Sequence, residues 1–170
     1  LKQSSCIAII PSVIKGAFGW GGRHGRGVLT CRDDGGSWSP PIFVTLSGGS
    51  FGLQIGAQST DIVLFFMNER SVRSLLKSKF TLGGDLSVAA GPVGRSAELG
   101  TDLRLRAEIY SYAKSRGLFA GMAVEGARLA PHMKSIHNYS GARLWAEEVL
   151  FGSERPALPP ESRRLIEALP

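Results

Sequence analysis

Glycine is the feature that most limits what this chain can fold into: 22 of its 170 residues are glycine, close to twice the ~7% of an average chain. Each glycine inside a helix costs about 0.5–1 kcal/mol against alanine. At this density a helical bundle is excluded, and tight turns, bulges and close backbone approaches are favoured. The glycines follow no G-X-Y period, so a collagen-like chain is excluded too. Between them lie short apolar runs, none approaching the ~20 residues of a membrane-spanning helix. With 43% hydrophobic and 20% charged residues, the composition is that of a packed globular chain rather than a disordered one. A chain of 170 residues is long enough to bury a core without staples.

Pattern places the elements. Cys6 to Pro11, Val13 to Gly22, Arg26 to Arg32 and Ile42 to Leu46 read as strands, with Gly21 to Gly25 as a turn. Gly48 to Ala57 reads as a glycine-studded strand and Asp61 to Met67 as a central apolar one. Asn68 is a helix N-cap ahead of Glu69, and Val72, Leu75 and Leu76 follow at helical spacing to about Lys79. Phe80 to Gly84 and Leu86 to Ala90 are short extended pieces. Residues 102–114 alternate apolar and polar, which is a strand with one wet face, and Leu118 to Val124 alternate again to form an antiparallel hairpin with it. Helices are expected over about 132–138, 141–150 and 161–168. The fold class is α+β: a curved or barrel-like, mainly antiparallel sheet with one inserted helix and C-terminal helices. Residues 1–152 form the domain, and 153–170 a linker with a last helix.

The net charge of +6 is uneven. Residues 1–116 carry 14 Lys and Arg against 8 Asp and Glu, whereas 117–170 carry 6 of each. That excess suits an anionic partner or plain solubility. Lys15, Arg23, His24 and Arg26 lie near Phe18 and Trp20, a mixture suited to a membrane interface, with the indole at headgroup depth and cations on phosphates. It also suits a core tryptophan with solvated arginines, or stacking on a single-stranded nucleic acid. Arg104, Arg106, Lys114 and Arg116 add charge, and Arg104 and Arg106 alternate onto one face. No nucleic-acid reading motif is present, so no nucleic-acid partner is expected. Cys6 and Cys31 fall in apolar stretches. Buried free thiols are the default expectation, with a disulfide as the alternative in an exported protein. Two cysteines and three histidines make no zinc pattern.

Gly48-Gly49-Ser50-Phe51-Gly52 matches G-x-S-x-G. A nucleophile elbow needs a helix after the serine, but Leu53 to Ala57 is broken by glycine. A lipid or ester hydrolase would need His132 or His137 within reach of Ser50. Gly83-Gly84-Asp85 lacks the ending of a phosphate-binding P-loop. Asp85 reads as a buried turn-capping acid, and Asp61 as a cap on a turn or a buried backbone group.

Five longer motifs, in order, resemble one family. They are Lys15 to Gly22 with Gly25 to Leu29; Trp38-Ser39-Pro40-Pro41; Gly48 to Asp61; Phe80 to Arg95; and Tyr110 to Gly126 with its Gly117-Leu118-Phe119-Ala120-Gly121. Over about residues 5–150 the chain looks like a SYLF, or Ysc84-type, domain. The resemblance implies a non-enzymatic lipid-binding module. Eukaryotic members bind phosphoinositides; yeast-type members also bind and bundle actin and often carry an SH3 domain. This chain looks more like the stand-alone bacterial members, which are often exported, and its compartment is left open. Family members carry a helical segment ahead of the first strand, and this sequence begins at or just before that strand. The expectation is peripheral binding of anionic phospholipid, with Lys15, Arg23, Arg26, Arg104, Arg106 and Lys114 as contacts and Trp20 as interfacial anchor. No catalytic residue, metal or cofactor is expected. A serine hydrolase using Ser50 and an envelope scaffold acting through protein contacts are the alternatives, and actin is expected as a partner only in the eukaryotic relatives.

Overall fold

In a computed structural model of the chain, the residues described are 4–18, 20–50, 56–77, 80–91, 107–115, 118–121, 124, 126–140, 145–153, 156–157 and 160–169. Two long strands set the frame: β1 (Cys6–Phe18) and β2 (Trp20–Cys31). They pair antiparallel from Cys6↔Cys31 to Phe18↔Trp20. The turn expected at Gly21–Gly25 is therefore strand, and the hairpin closes around position 19. The glycines there do not bend the chain. Gly25 instead leaves room for the Val13 and Ile10 side chains, which a Cβ there would meet within 3 Å.

β3 (Ile42–Ser50) pairs with β2, and β4 (Gly56–Phe66) returns to pair with β1. The spatial order β4-β1-β2-β3 is a Greek key. The single strand expected over Gly48–Ala57 is thus the end of β3 and the start of β4, on opposite sides of the β1–β2 hairpin. Helix α1 (Glu69–Lys77) follows, capped as expected by Asn68, whose Oδ1 accepts from Ser71 N at 2.8 Å and Ser71 Oγ at 2.7 Å. Next come β5 (Phe80–Thr81), β6 (Val88–Ala90), β7 (Ile109–Ser115) and β8 (Leu118–Gly121). β7 and β8 form the expected hairpin, while β6 pairs parallel to β7. β9 (Arg128–Pro131), which no sequence pattern pointed to, pairs with β3 and β5. Helices α2 (Met133–Ser140), α3 (Ala146–Phe151) and α4 (Pro160–Glu167) end the chain. The result is the expected α+β class: a strongly curled half-barrel, with nine strands among the described residues in the order β5-β9-β3-β2-β1-β4-β7-β6 and β8 beside β7.

The core lies inside the curl. Cys6, Ala8 and Ile10 of β1, Leu29 and Cys31 of β2, Ile42, Val44 and Leu46 of β3, and Ile62, Leu64 and Phe66 of β4 meet Val72 and Leu75 of α1 and Val149 and Leu150 of α3. Cys6 and Cys31, expected as free thiols, are joined by a disulfide across directly opposed positions. Two residues that sequence alone places 25 apart become neighbours only because β1 and β2 pair antiparallel along their length.

One irregularity decides which way side chains face. The register of β1 slips between Ile10 and Val13. Ser12 there has φ 51°, a left-handed conformation that a non-glycine residue adopts at a cost of about 1–3 kcal/mol. Proline cannot donate a ladder hydrogen bond and inside a sheet is found at bulges; Pro11 occupies this one. Asp61 Oδ1 accepts the Ser12 N–H at 2.9 Å, the backbone cap expected of it. Opposite the bulge, Gly27 has no room for a side chain, since a Cβ would overlap the carbonyl oxygen of Ile9. A bulge inserts one residue, so alternation flips beyond it. Before it, even-numbered residues face the core. After it Val13 is 3% exposed, while Ile14 is 59% exposed.

Candidate functional site

Strand register sorts the predicted cations onto two faces. On the convex face, one row runs Arg128–Ser47–His24–Ile14–Ser59 across β9, β3, β2, β1 and β4. Below it, Thr45 and Arg26 flank the bulge on one side, with Asp61 and Lys114 on the other. His24, Arg26, Arg128 and Lys114 are all exposed. Lys114 sits directly across from Asp61. Above Ile14 runs a smooth row, Gly49–Gly22–Gly16–Ala57. Ile14 is therefore an apolar side chain standing out of a flat, basic-edged patch.

On the concave face, Lys15 pairs directly with Arg23, and the same row continues to Gly48 on β3 and Gln58 on β4. The six expected cations thus do not make one surface. Arg26 and Lys114 share the convex face, Lys15 and Arg23 line the concave one, and Arg104 and Arg106 lie outside the described residues. Trp20 begins β2 as the partner of Phe18; its side chain is not among those described. The bulge is why sequence reading could not sort them. Unbroken alternation from Cys6 would put Ile14 inside and Lys15 outside. Ile14 and Arg128 were missed for that reason, and because nothing marked β9 as a strand; His24, noted near Trp20, was left out of the expected contacts.

With His132 as base, the hydrolase alternative requires residues that the fold places apart. Ser50 is the last residue of an antiparallel strand, opposite Gly21. His132 donates its backbone N–H to Phe43 O and its Nδ1 lies 2.6 Å from Ser135 Oγ. Phe43 is at the other end of β3, on the order of 20 Å along the strand from Ser50. Asp85 accepts Thr81 N at 2.7 Å through Oδ2 and so caps its turn as expected, but it is exposed rather than buried.

A cleft of about 200 Å³ at the disulfide end is lined by Arg32, Asp33, Asp34, Glu69, Arg73, Leu150 and Phe151. It is smaller than the ~300–1,000 Å³ of small-molecule sites. Its arginines are both engaged. Arg73 pairs with Glu69 at 3.5 Å and Glu147 at 2.5 Å and lies over the Phe151 ring, and Arg32 lies over Trp38. The Arg73 contacts tie α1 to α3, and the Arg32 contact holds the segment after β2 against Trp38. Among the described residues, no group of three or more His, Cys, Asp or Glu is placed to hold a metal. Nor is any helix there long and apolar enough to cross a membrane.

The model of one family, Ysc84, described as "Las17-binding protein actin regulator", matches residues 47–170. The chain belongs to the Ysc84 family. Among similar proteins, "SH3 domain-containing YSC84-like protein 1" of Xenopus laevis is 39% identical over 171 residues, covering 99% of this chain and 50% of the relative. "Protein YSC84" of Saccharomyces cerevisiae is 36% identical over 172 residues, covering 99% and 36%. "LAS seventeen-binding protein 3" of the same yeast is 36% identical over 159 residues, covering 92% and 34%. The chain spans half or less of the length of these relatives. One of these names, LAS seventeen-binding protein 3, describes a binding protein.

Proposed function

We propose that this Ysc84-family domain is a non-enzymatic module that docks on anionic phospholipid surfaces through the convex face of the β1–β2 hairpin. The observation that carries the reading is Ile14, 59% exposed in mid-sheet beside His24, with Arg26 and Arg128 further out on the same face. Three cations, Arg26, Arg128 and Lys114, contribute at most about 3 kcal/mol against an anionic leaflet. Millimolar binding needs about 4 kcal/mol, so charge alone is insufficient. Burying an isoleucine adds about 1.5–3 kcal/mol. Trp20 at the hairpin end serves as a second apolar anchor, and Arg104 and Arg106 as further contacts. The selectivity among headgroups of some eukaryotic relatives is not part of this reading. A protein partner is the second reading, supported by the names of the Las17-binding relatives; the same exposed patch would serve it.

Vesicle sedimentation tests the proposal. Binding to anionic vesicles at low salt, lost at high salt and absent on neutral vesicles, is the expected result. Equal binding to neutral and anionic vesicles, or none to either, refutes it.

A further inference from the structure

The concave face holds a different arrangement. The Nε and Nη1 atoms of Arg23 are buried and have no hydrogen-bond partner among the described residues. Buried charged donors are ordinarily paired, because an unpaired one forfeits its hydration with no return. Directly opposite, on the same face, stands Lys15, a second cation. The positions that surround the pair in the sheet carry no carboxylate. They are Gly48 and Gln58 in the same row, Leu46, Gly25, Val13 and Thr60 in the row towards the core, and Ser50, Gly21, Ala17 and Gly56 in the row towards the open end. Two cations therefore face each other with no countercharge from the sheet.

The surroundings also have shape. Gly48, beside Arg23 on β3, lies under the chain at Gly126–Ala127: a Cβ there would stand 3.0 Å from Ala127 Cα and 3.5 Å from Gly126 O. That segment is buried against the sheet at Val124 and Ala127. It closes one side of the space. The row on the open side is made of small residues only, and Lys15 and Arg23 both keep part of their surface in solvent.

We infer that Lys15 and Arg23 form an oxyanion-binding site on the concave face, suited to a dianionic phosphate group. Arginine supplies several directed N–H donors and lysine a mobile ammonium, the pairing that phosphate oxygens accept. Two positive charges with no carboxylate at the surrounding sheet positions favour a dianion over a monoanion. The site is separate from the convex membrane-docking patch and stands or falls independently of it. A phosphomonoester lipid headgroup and free phosphate present the same chemistry.

The test is thermal unfolding of the full chain in inorganic phosphate against sodium chloride at matched ionic strength. At roughly ten times its dissociation constant, phosphate should raise Tm by about 3–6 °C beyond chloride. Arg23→Met should abolish that rise, Lys15→Met should weaken phosphate affinity about tenfold, and Arg26→Met on the convex face should leave it intact. Vesicles of phosphatidic acid, a phosphomonoester, and of phosphatidylglycerol, a phosphodiester, then separate the two sources. Loss of a phosphatidic acid preference in Arg23→Met assigns the site to a headgroup; loss of the phosphate response with vesicle binding unchanged assigns it to the free anion. No phosphate-specific rise in the parent chain overturns the inference, and so does a rise that survives Arg23→Met. Should Arg23→Met fail to fold, Lys15→Met and the parent titration decide alone. A chain that responds to phosphate yet binds no vesicle keeps this site and loses the membrane reading, and the converse separates them equally.

Discussion

The two halves of the β1–β2 hairpin are built for opposite ends. From Cys6 to Ile10, opposite Val28 to Cys31, the strands carry the disulfide, and burial reaches even the convex side: Ile7 is 3% and Thr30 1% exposed. From Ile14 to Phe18, opposite Trp20 to His24, the same strands carry glycine, cations and an exposed isoleucine. The Ser12 bulge divides them. The difference teaches that this hairpin spends its apolar residues on stability at one end and leaves the other for contact with something else. Substitutions should therefore separate cleanly, with stability failing at the disulfide end and binding at the open end.

The largest effect is expected at the division itself. Gly27→Val would drive a branched side chain into the β1 backbone and should cost at least about 3 kcal/mol, read by chemical denaturation. Gly49→Ala on the open convex face, where nothing lies within 4 Å of the Cβ position, should change stability by no more than about 1 kcal/mol. Next comes the staple. The disulfide closes a loop with a sequence separation of 25, worth about 3 kcal/mol by loop-closure entropy. The Cys6→Ala/Cys31→Ala double variant should melt about 6–12 °C lower while keeping vesicle binding unchanged below its new Tm. Loss of vesicle binding in a still-folded variant would break the comparison.

Asp61→Ala is a smaller and sharper probe. It removes the acceptor of the Ser12 N–H and should cost about 1 kcal/mol. Because the bulge turns Ile14 outward, it should also weaken vesicle binding, an effect that Gly49→Ala lacks.

The smallest effect lies at the buried end. Burial raises the hydroxyl of Tyr110 above its usual range, partly offset by a hydrogen bond with the Ala107 backbone. Burial raises that of Tyr112 too, and the charge of Tyr110 adds to it. A raised phenol favours the protonated native state. Stability should therefore be steady below pH 10, the ordinary tyrosine value, and fall as pH climbs through the raised native values. Tyrosinate absorbance should appear later in the folded than in the unfolded chain.

Much of this was legible in the residues. The strand beginning at Leu118, the Asn68 cap and the apolar run of β4 up to Phe66 each depend on neighbours in sequence, and each is found, with β8 ending at Gly121. The five ordered motifs identified the family for the same reason. What sequence could not carry was long-range. β9 is four residues, Arg128–Pro131, and is a strand only because β3 and β5 pair with it. The disulfide depends on a hairpin register, and the split of Lys15 and Arg23 from Arg26 and Lys114 depends on one inserted residue near Ser12. Position 14 looks like core by alternation; only the bulge makes it surface.

That position offers the most direct test of the central claim. Cys6 and Cys31 are bonded and buried, so Ile14→Cys adds the one reactive thiol for an environment-sensitive fluorophore, with Ser37→Cys in the loop at the disulfide end as the matched control. Anionic vesicles at low salt should shift the position 14 label to the blue, high salt should reverse the shift, and the position 37 label should not respond. A chain that sediments with anionic vesicles while the position 14 label stays in water would contradict docking through the convex face.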